Sequence, residues 1–192
     1  MFVLALGPLA FLVARALGLH GLSLGANPIQ TLTDQLGLWA LRFLLITLTL
    51  TPLRRLTGAT RILLFRRMLG LYAYFYLVLH VTMYVGVDQR LNFPVLWEDI
   101  VKRPWITLGV IGLVLLTPLA VTSTRRMMRR LGRSWQTLHY ALYPATAVAC
   151  WHFYWQVKRD VSTPLLYAAV FALLMALRLH HRTRRRTHND AG

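Results

Sequence analysis

The chain has 192 residues, of which 56% are hydrophobic, and it carries 22 Lys and Arg against only 6 Asp and Glu. Only 15% of its residues are charged, whereas about a quarter are charged in a typical soluble domain, so the composition excludes an ordinary soluble protein. The basic residues form short clusters between long apolar runs, which argues against a basic surface that binds nucleic acid.

Six segments come near the roughly 20 apolar residues that a helix needs to cross the hydrocarbon core of a bilayer. Turn residues or charges bound each segment. In chain order, the predicted spans are residues 2–19, 35–53, 68–87, 105–124, 135–157 and 164–179, followed by a basic tail at 180–192. Exposed strand edges are not tolerated in lipid. The predicted fold is therefore all-α, a six-helix transmembrane bundle that forms one domain over residues 1–192, with no evident internal repeat.

Arginine clusters predict the orientation of these spans. They lie between spans two and three, between spans four and five, and in the tail: Arg54, Arg55, Arg61, Arg66, Arg67; Arg125, Arg126, Arg129, Arg130, Arg133; Arg182, Arg184, Arg185, Arg186. The loops on the opposite side are mixed in sign. By the positive-inside rule, the clusters and both termini are predicted to be cytoplasmic. The same clusters are also candidates for docking an acidic cytoplasmic partner.

Three histidines, His80, His139 and His152, lie within predicted spans. Ionisable side chains in a bilayer are costly and usually functional. A single intramembrane histidine is as compatible with an interhelical hydrogen bond as with a ligand role. Three of them, with no acidic residue inside the spans to complete a proton relay, favour metal ligation.

His80 and His152 lie on spans that run in the same direction through the membrane. His80 is 13 residues beyond Arg67 (80 − 67) and His152 is 19 beyond Arg133 (152 − 133), so both are expected in the outer half, facing each other. Two neutral imidazoles from neighbouring helices suit a low-spin, bis-histidine b-type haem that carries electrons. His139 precedes His152 by 13 residues (152 − 139), about 20 Å along an ideal helix, and is expected in the cytoplasmic half.

Two other residues in the predicted spans bear on this site. Arg42 lies at nearly the depth of His80, where it would either pair with a haem propionate or extend its guanidinium to the outer interface. Pro144, between His139 and His152, is expected to kink the fifth span and to change the relative direction of the two imidazoles.

Several motifs, spread over nearly the whole chain, resemble one known family. The most specific is Arg133 to Tyr140 (RSWQTLHY) followed by His152 to Trp155 (HFYW) in the predicted fifth span. Supporting matches are Gly25-Ala26-Asn27-Pro28, Thr51-Pro52-Leu53, Leu79-His80 and Arg103-Pro104. These residues resemble the MsrQ family, also known as YedZ, whose members are haem-binding membrane subunits of periplasmic methionine sulfoxide reductase systems.

The resemblance implies the transmembrane fold of ferric reductases and NADPH oxidases, in which paired histidines on the third and fifth spans hold two stacked haems. Where those oxidases carry a second third-span histidine, fourteen residues before His80, this chain has Arg66. His139 therefore lacks an obvious partner. The expectation is one haem b held by His80 and His152. His139 is expected either to ligate a second haem, which would need an unusual ligand or a water, or to serve electron entry from the cytoplasmic side.

The resemblance also implies an electron route across a bacterial inner membrane. The quinone pool or a cytoplasmic flavin reductase would donate electrons, FMN would be a further cofactor, and a periplasmic, MsrP-like molybdopterin enzyme would receive the electrons for repair of oxidised proteins. No Gly-rich nucleotide fingerprint is present and about a dozen residues follow the sixth span, so nucleotide oxidation and methionine sulfoxide reduction are both expected on partner proteins.

Two alternatives differ from this interpretation. A stand-alone ferric or cupric reductase would need an outer metal-binding surface, but the predicted periplasmic loops are short and carry almost no histidine or cysteine. A non-redox transporter or scaffold would use the histidines for proton movement or packing. The lack of acidic residues in the predicted spans argues against proton-coupled transport.

Overall fold

The computed structural model describes residues 3–19, 23–158 and 160–189, with side chains as far as residue 180. Its regular elements are helical throughout this part of the chain. The α-helices are α1 (Gly7–Ala16), α2 (Pro28–Thr57), α3 (Phe65–Thr82), α4 (Phe93–Lys102), α5 (Pro104–Val121), α6 (Arg125–Leu131), α7 (Arg133–His139), α8 (Leu142–Gln156) and α9 (Ser162–Asn189). Short 3-10 helices at Val3–Leu6 and Thr60–Leu64 precede α1 and α3, and a π-helix at Met83–Asp88 continues α3.

Local sequence explains where the main helices begin and end. The side chain of Asn27 accepts a hydrogen bond from the backbone N–H of Gln30, and proline follows at the first position of α2. Asn92 caps α4 in the same way, again with proline in the first turn. A polar cap followed by proline is a favoured start because the first N–H groups have no partner within the helix. Gly58, with φ of 71°, ends α2 in the left-handed conformation that glycine adopts freely.

Four helical stretches in the described residues are long and apolar enough to cross a membrane: Pro28–Thr57, Thr60–Asp88, Pro104–Val121 and Ser162–His180. They correspond to the predicted second, third, fourth and sixth spans. The predicted first span is represented by the shorter apolar stretch Val3–Ala16, and its first residue lies outside the described part of the chain, as do the last three residues of the tail. The six-span count and the cytoplasmic termini stay predictions.

The predicted fifth span is two helices rather than one. Helix α7 ends at His139 and α8 begins at Leu142, with backbone N–H groups of Tyr140 and Ala141 bonded to carbonyls three residues back. Pro144 explains the break because its ring would clash with the carbonyl of residue 140 in a continuous helix and it has no N–H to donate. The kink expected at Pro144 is thus a full interruption.

Helices α2 and α3 pack mainly against each other, as do α5 and α8, and α9 packs against both α8 and α2. The central core includes Leu44, Leu48, Tyr76 and Ala145, all with at most 2% of their surface exposed. Tyr76 ties the N-terminal segment to this core, because its hydroxyl donates to the Ala5 carbonyl in the 3-10 helix before α1 and accepts a hydrogen bond from the Leu9 N–H in α1. Large apolar side chains on the remaining helix faces are exposed, which suits helices surrounded by lipid.

Candidate functional site: two histidines between α3 and α8

The rings of His80 and His152 meet between α3 and α8. Their centroids are 6.4 Å apart and their planes are inclined at 81°. His80 lies in the last turn of α3, and His152 lies ten residues into α8. The structure therefore brings together the two histidines that were selected from the sequence as a facing pair.

Each of these rings is held by a backbone carbonyl. The distance from His80 Nδ1 to the Thr33 carbonyl oxygen is 2.7 Å, and that from His152 Nδ1 to the Trp105 carbonyl oxygen is 2.5 Å. A carbonyl oxygen only accepts, so Nδ1 must carry the hydrogen in both rings. The lone pair on Nε2 is then available in both, which is the arrangement found in metal-binding histidines.

Each residue that builds the His80 half of the site has a counterpart 72 residues later in the His152 half. His152 follows His80 by 72 residues (152 − 80), Trp105 follows Thr33 by 72 (105 − 33), and Gly109 follows Gly37 by 72 (109 − 37). Each glycine lies four residues after its carbonyl and against its ring. The pair α2–α3 thus braces His80 as the pair α5–α8 braces His152, a structural repeat that is not evident in the sequence.

Gly37 and Gly109 leave the space that the imidazoles occupy. A Cβ atom on Gly37 would lie 2.9 Å from His80 Nδ1 and 3.0 Å from its Cε1, and a Cβ on Gly109 would lie 3.2 Å from His152 Cε1. The first distance is closer than Cβ atoms come to other atoms in real structures. Any larger residue at these positions would therefore have to displace a histidine or a helix.

An acidic residue close to the pair was also missed. Asp34 accepts a hydrogen bond of 2.6 Å from Gln156 Nε2 and lies within electrostatic range of His152. It falls one residue outside the predicted span at 35–53, but α2 begins seven residues earlier, at Pro28 (35 − 28). The cap Asn27-Pro28 was the signal that could have extended the prediction. Because α2 has 30 residues, about 45 Å, it is longer than the hydrocarbon core of a bilayer, and Asp34 lies in the part of the helix that precedes the predicted span.

Comparisons with known proteins decide the family. The family described as "Ferric reductase like transmembrane component" matches residues 36–150. A protein-methionine-sulfoxide reductase heme-binding subunit MsrQ from Xanthomonas campestris pv. campestris is 51% identical over 160 residues, 83% of this chain and 73% of that protein. The MsrQ of Rhodospirillum rubrum is 49% identical over 192 residues, 100% of this chain and 91% of that protein.

This chain belongs to the MsrQ family. It is accordingly a membrane protein with a ferric reductase-like transmembrane region, as its long apolar helices also indicate. The resemblance drawn from the fifth-span motif is confirmed.

His139 lies apart from the histidine pair of this MsrQ family member. It is the last residue of α7, and the ten residues from Leu142 to His152 alone span about 15 Å along α8. Its ring stacks on Trp135 with centroids 3.8 Å apart, and the distance from its Nδ1 to the Trp135 carbonyl oxygen is 2.9 Å. Arg66 lies within electrostatic range of it. His139 is thus fixed in one orientation, near Arg66.

Arg42 lies on the other side of α2 from His80. Nine residues separate it from Thr33 and five separate it from Gly37, so an ideal helix places it about 180° and about 140° from them. Its Nε donates a hydrogen bond of 2.7 Å to the Tyr167 hydroxyl, and its guanidinium lies 4.5 Å from the ring centroid of Trp39. The side chain therefore faces α9.

No group of three or more His, Cys, Asp or Glu residues that could hold a metal ion occurs within the described residues. A tetrahedral zinc site needs three or four such protein ligands. The two-histidine arrangement instead suits an iron whose remaining ligands come from a porphyrin.

Proposed function

We propose that this chain is the haem-binding membrane subunit of a methionine sulfoxide reductase system, and that it carries electrons across a bacterial inner membrane. Family membership and the names of its relatives support the system. The observation that carries the haem assignment is the His80–His152 pair, with each Nδ1–H bonded to a carbonyl and each Nε2 available.

The spacing of the two rings fits a haem. Ring bonds of about 1.33 Å put each nitrogen about 1.1 Å from its ring centroid, and metal–imidazole bonds are about 2.0–2.1 Å. Two imidazoles on opposite sides of one metal ion would therefore have centroids about 6.3 Å apart. The separation of 6.4 Å between His80 and His152 agrees with this value.

When bound, a bis-histidine haem supplies a one-electron carrier with no open coordination position. The protein's part is to hold both ligands. The carbonyls of Thr33 and Trp105 fix the tautomer of each imidazole and raise its basicity. Gln156 holds Asp34 beside His152, and in its ionised form Asp34 would favour the more positive, oxidised form of the centre.

The electron route rests on the family and on charge. The arginine clusters favour a cytoplasmic position for their loops, which leaves the opposite loops for a periplasmic, MsrP-like molybdopterin reductase. The quinone pool or a cytoplasmic flavin reductase would donate the electrons, with FMN as an additional cofactor. One haem b is proposed at the pair. A second haem at His139 and a propionate contact of Arg42 stay predictions.

The direct test is the reduced-minus-oxidised absorption spectrum of the purified protein. We expect a low-spin b-type signal that is lost in His80→Ala and in His152→Ala. His180→Ala is the matched control because it removes an exposed histidine at the end of the sixth span. Normal low-spin haem in either variant at the pair would contradict the assignment, and a colourless protein from haem-replete cells would contradict the function.

The partnership needs a second measurement. With a catalytic amount of a purified periplasmic methionine sulfoxide reductase, reduced protein in nanodiscs should be fully reoxidised only when methionine sulfoxide is present as the final electron acceptor. Direct reoxidation by ferric or cupric chelates at the same rate, without the reductase, would instead favour a stand-alone metal reductase.

A further inference from the structure

A groove runs between α2 and α9 on the surface of the bundle. It is lined by Trp39, Arg42, Leu45, Ile46 and Thr49 of α2 and by Leu166, Tyr167 and Val170 of α9. Its volume is about 280 Å³, just below the roughly 300–1,000 Å³ of pockets that enclose a whole drug-sized or cofactor-sized ligand. The groove therefore suits a slender, partly exposed ligand better than a macrocycle.

Arg42 gives the groove an unneutralised charge. In the described part of the chain, its guanidinium donates one hydrogen bond, from Nε to Tyr167, and has no carboxylate partner. The two Nη groups donate to no acceptor among the same residues. An arginine within membrane helices is costly unless it is paired or reaches polar surroundings. The planar edge of its guanidinium can bind a phosphate through two hydrogen bonds.

The position of the groove matches a lipid that lies along the helices. Tyr167 is five residues after Ser162, the first residue of α9, so it lies about 7.5 Å from that end of the helix. The hydrogen bond between Arg42 and Tyr167 puts the guanidinium at a similar height, near the interface at the start of α9, where tryptophan and tyrosine are enriched. The 30-residue α2 extends beyond that interface. From Arg42 to Thr49 the groove extends seven residues, about 10 Å towards the middle of the membrane, between mainly apolar walls.

We propose that the groove binds an anionic phospholipid, with its phosphate on Arg42 and one acyl chain between α2 and α9. The charge at one end and the apolar walls beyond it match the two parts of such a molecule. The Tyr167 hydroxyl and the Trp39 ring hold the guanidinium in place for the phosphate. A haem propionate is the competing anion, but Arg42 lies on the side of α2 away from Thr33 and His80.

Native mass spectrometry of the detergent-purified protein tests this site. The protein is titrated with phosphatidylglycerol and, separately, with phosphatidylcholine of the same acyl chains. We expect one tightly retained phosphatidylglycerol, preferred over phosphatidylcholine, and about tenfold weaker retention in Arg42→Gln, since one charge-assisted contact corresponds to about that factor. Arg42→Lys keeps the charge without the planar edge and should be intermediate.

Two further variants make the result specific. Arg15→Gln is the matched control, because Arg15 is also an arginine in an apolar helix but donates to the Ser23 carbonyl outside the groove. It should retain lipid like the wild type. Ile46→Trp fills the groove from an exposed position and should lower lipid retention while leaving Arg42 intact.

Equal retention in the wild type and in Arg42→Gln would overturn the proposal, and so would an equal loss in Arg15→Gln. Loss of haem with unchanged lipid in Arg42→Gln would assign Arg42 to a propionate and would overturn it as well. Haem content is measured on the same samples, so failure of the lipid site is distinguishable from failure of the haem site.

Discussion

Replacing Gly37 by alanine should loosen the haem site by a predictable amount. The new methyl group would lie 2.9 Å from His80 Nδ1, whereas ordinary contacts begin at 3.4 Å, so the ring or the helix must move by 0.5 Å (3.4 − 2.9). Functional constellations tolerate displacements of only about 0.5 Å. The movement also acts directly on the 2.7 Å hydrogen bond to Thr33.

The energetic balance gives the size of the effect. Inserting a methyl group into a packed site costs about 1–3 kcal/mol, and the better helix propensity of alanine returns at most about 1 kcal/mol. A net loss near 1.4 kcal/mol corresponds to about tenfold weaker haem binding. Gly109→Ala should have a smaller effect because its Cβ would lie 3.2 Å from His152.

Transfer of haem to an apoglobin measures this loss, with the haem-to-protein ratio as a second readout. Gly112→Ala is the control, since it lies on the same helix as Gly109 and its Cβ would meet Val148 Cγ1 at an ordinary 3.9 Å. The expected order of haem loss is Gly37→Ala, then Gly109→Ala, then Gly112→Ala. Wild-type haem retention in Gly37→Ala would refute the steric argument, as would the reverse order.

Three further predictions concern the site and its surroundings. The ferric protein should give a strongly anisotropic low-spin EPR spectrum, because the imidazole planes of the pair are inclined at 81°; the weakly anisotropic spectrum of parallel planes would contradict the geometry. His139→Ala should leave one haem per chain, and a fall from two to one would reveal a second site. Asp99→Asn weakens the contacts of a buried carboxylate with Tyr84 (2.5 Å) and Arg103 (3.1 Å). The loss should cost about 1–3 kcal/mol of folding stability and lower the melting temperature by about 2–10 °C. Glu98→Gln, in an exposed ion pair, is the control and should change the melting temperature little.

The histidine pair could be predicted from the sequence because hydropathy and the basic clusters indicate the depth of each span in the membrane. Counting from Arg67 and Arg133 was enough to pair His80 with His152. The carbonyls that hold the rings could not be predicted in the same way, since every residue has a carbonyl and only the packing of helices selects Thr33 and Trp105.

Other features were missed for different physical reasons. Glycine is common in membrane helices, so Gly37 and Gly109 gave no signal by themselves. The predicted second span begins at Gln35 because the preceding residue, Asp34, is polar. Asn27 and Pro28 nevertheless mark the start of helix α2 itself. The interval of 72 residues is hidden because little more than the dipeptides Leu36-Gly37 and Leu108-Gly109 recur in the sequence.

The equivalent hydrogen bonds that hold His80 and His152 affect how readily a haem bound between them would react with dioxygen. An iron with one loosely held ligand opens a coordination position each time that ligand dissociates, and a reduced iron can then form superoxide. Here a backbone oxygen holds each ring, so we expect neither histidine to be a loosely held ligand. Most point mutations change side chains and leave those oxygens in place, and Gly37 and Gly109 are positions where a new side chain would press on a ring. We therefore expect this carrier to resist autoxidation and to keep that resistance through considerable sequence drift.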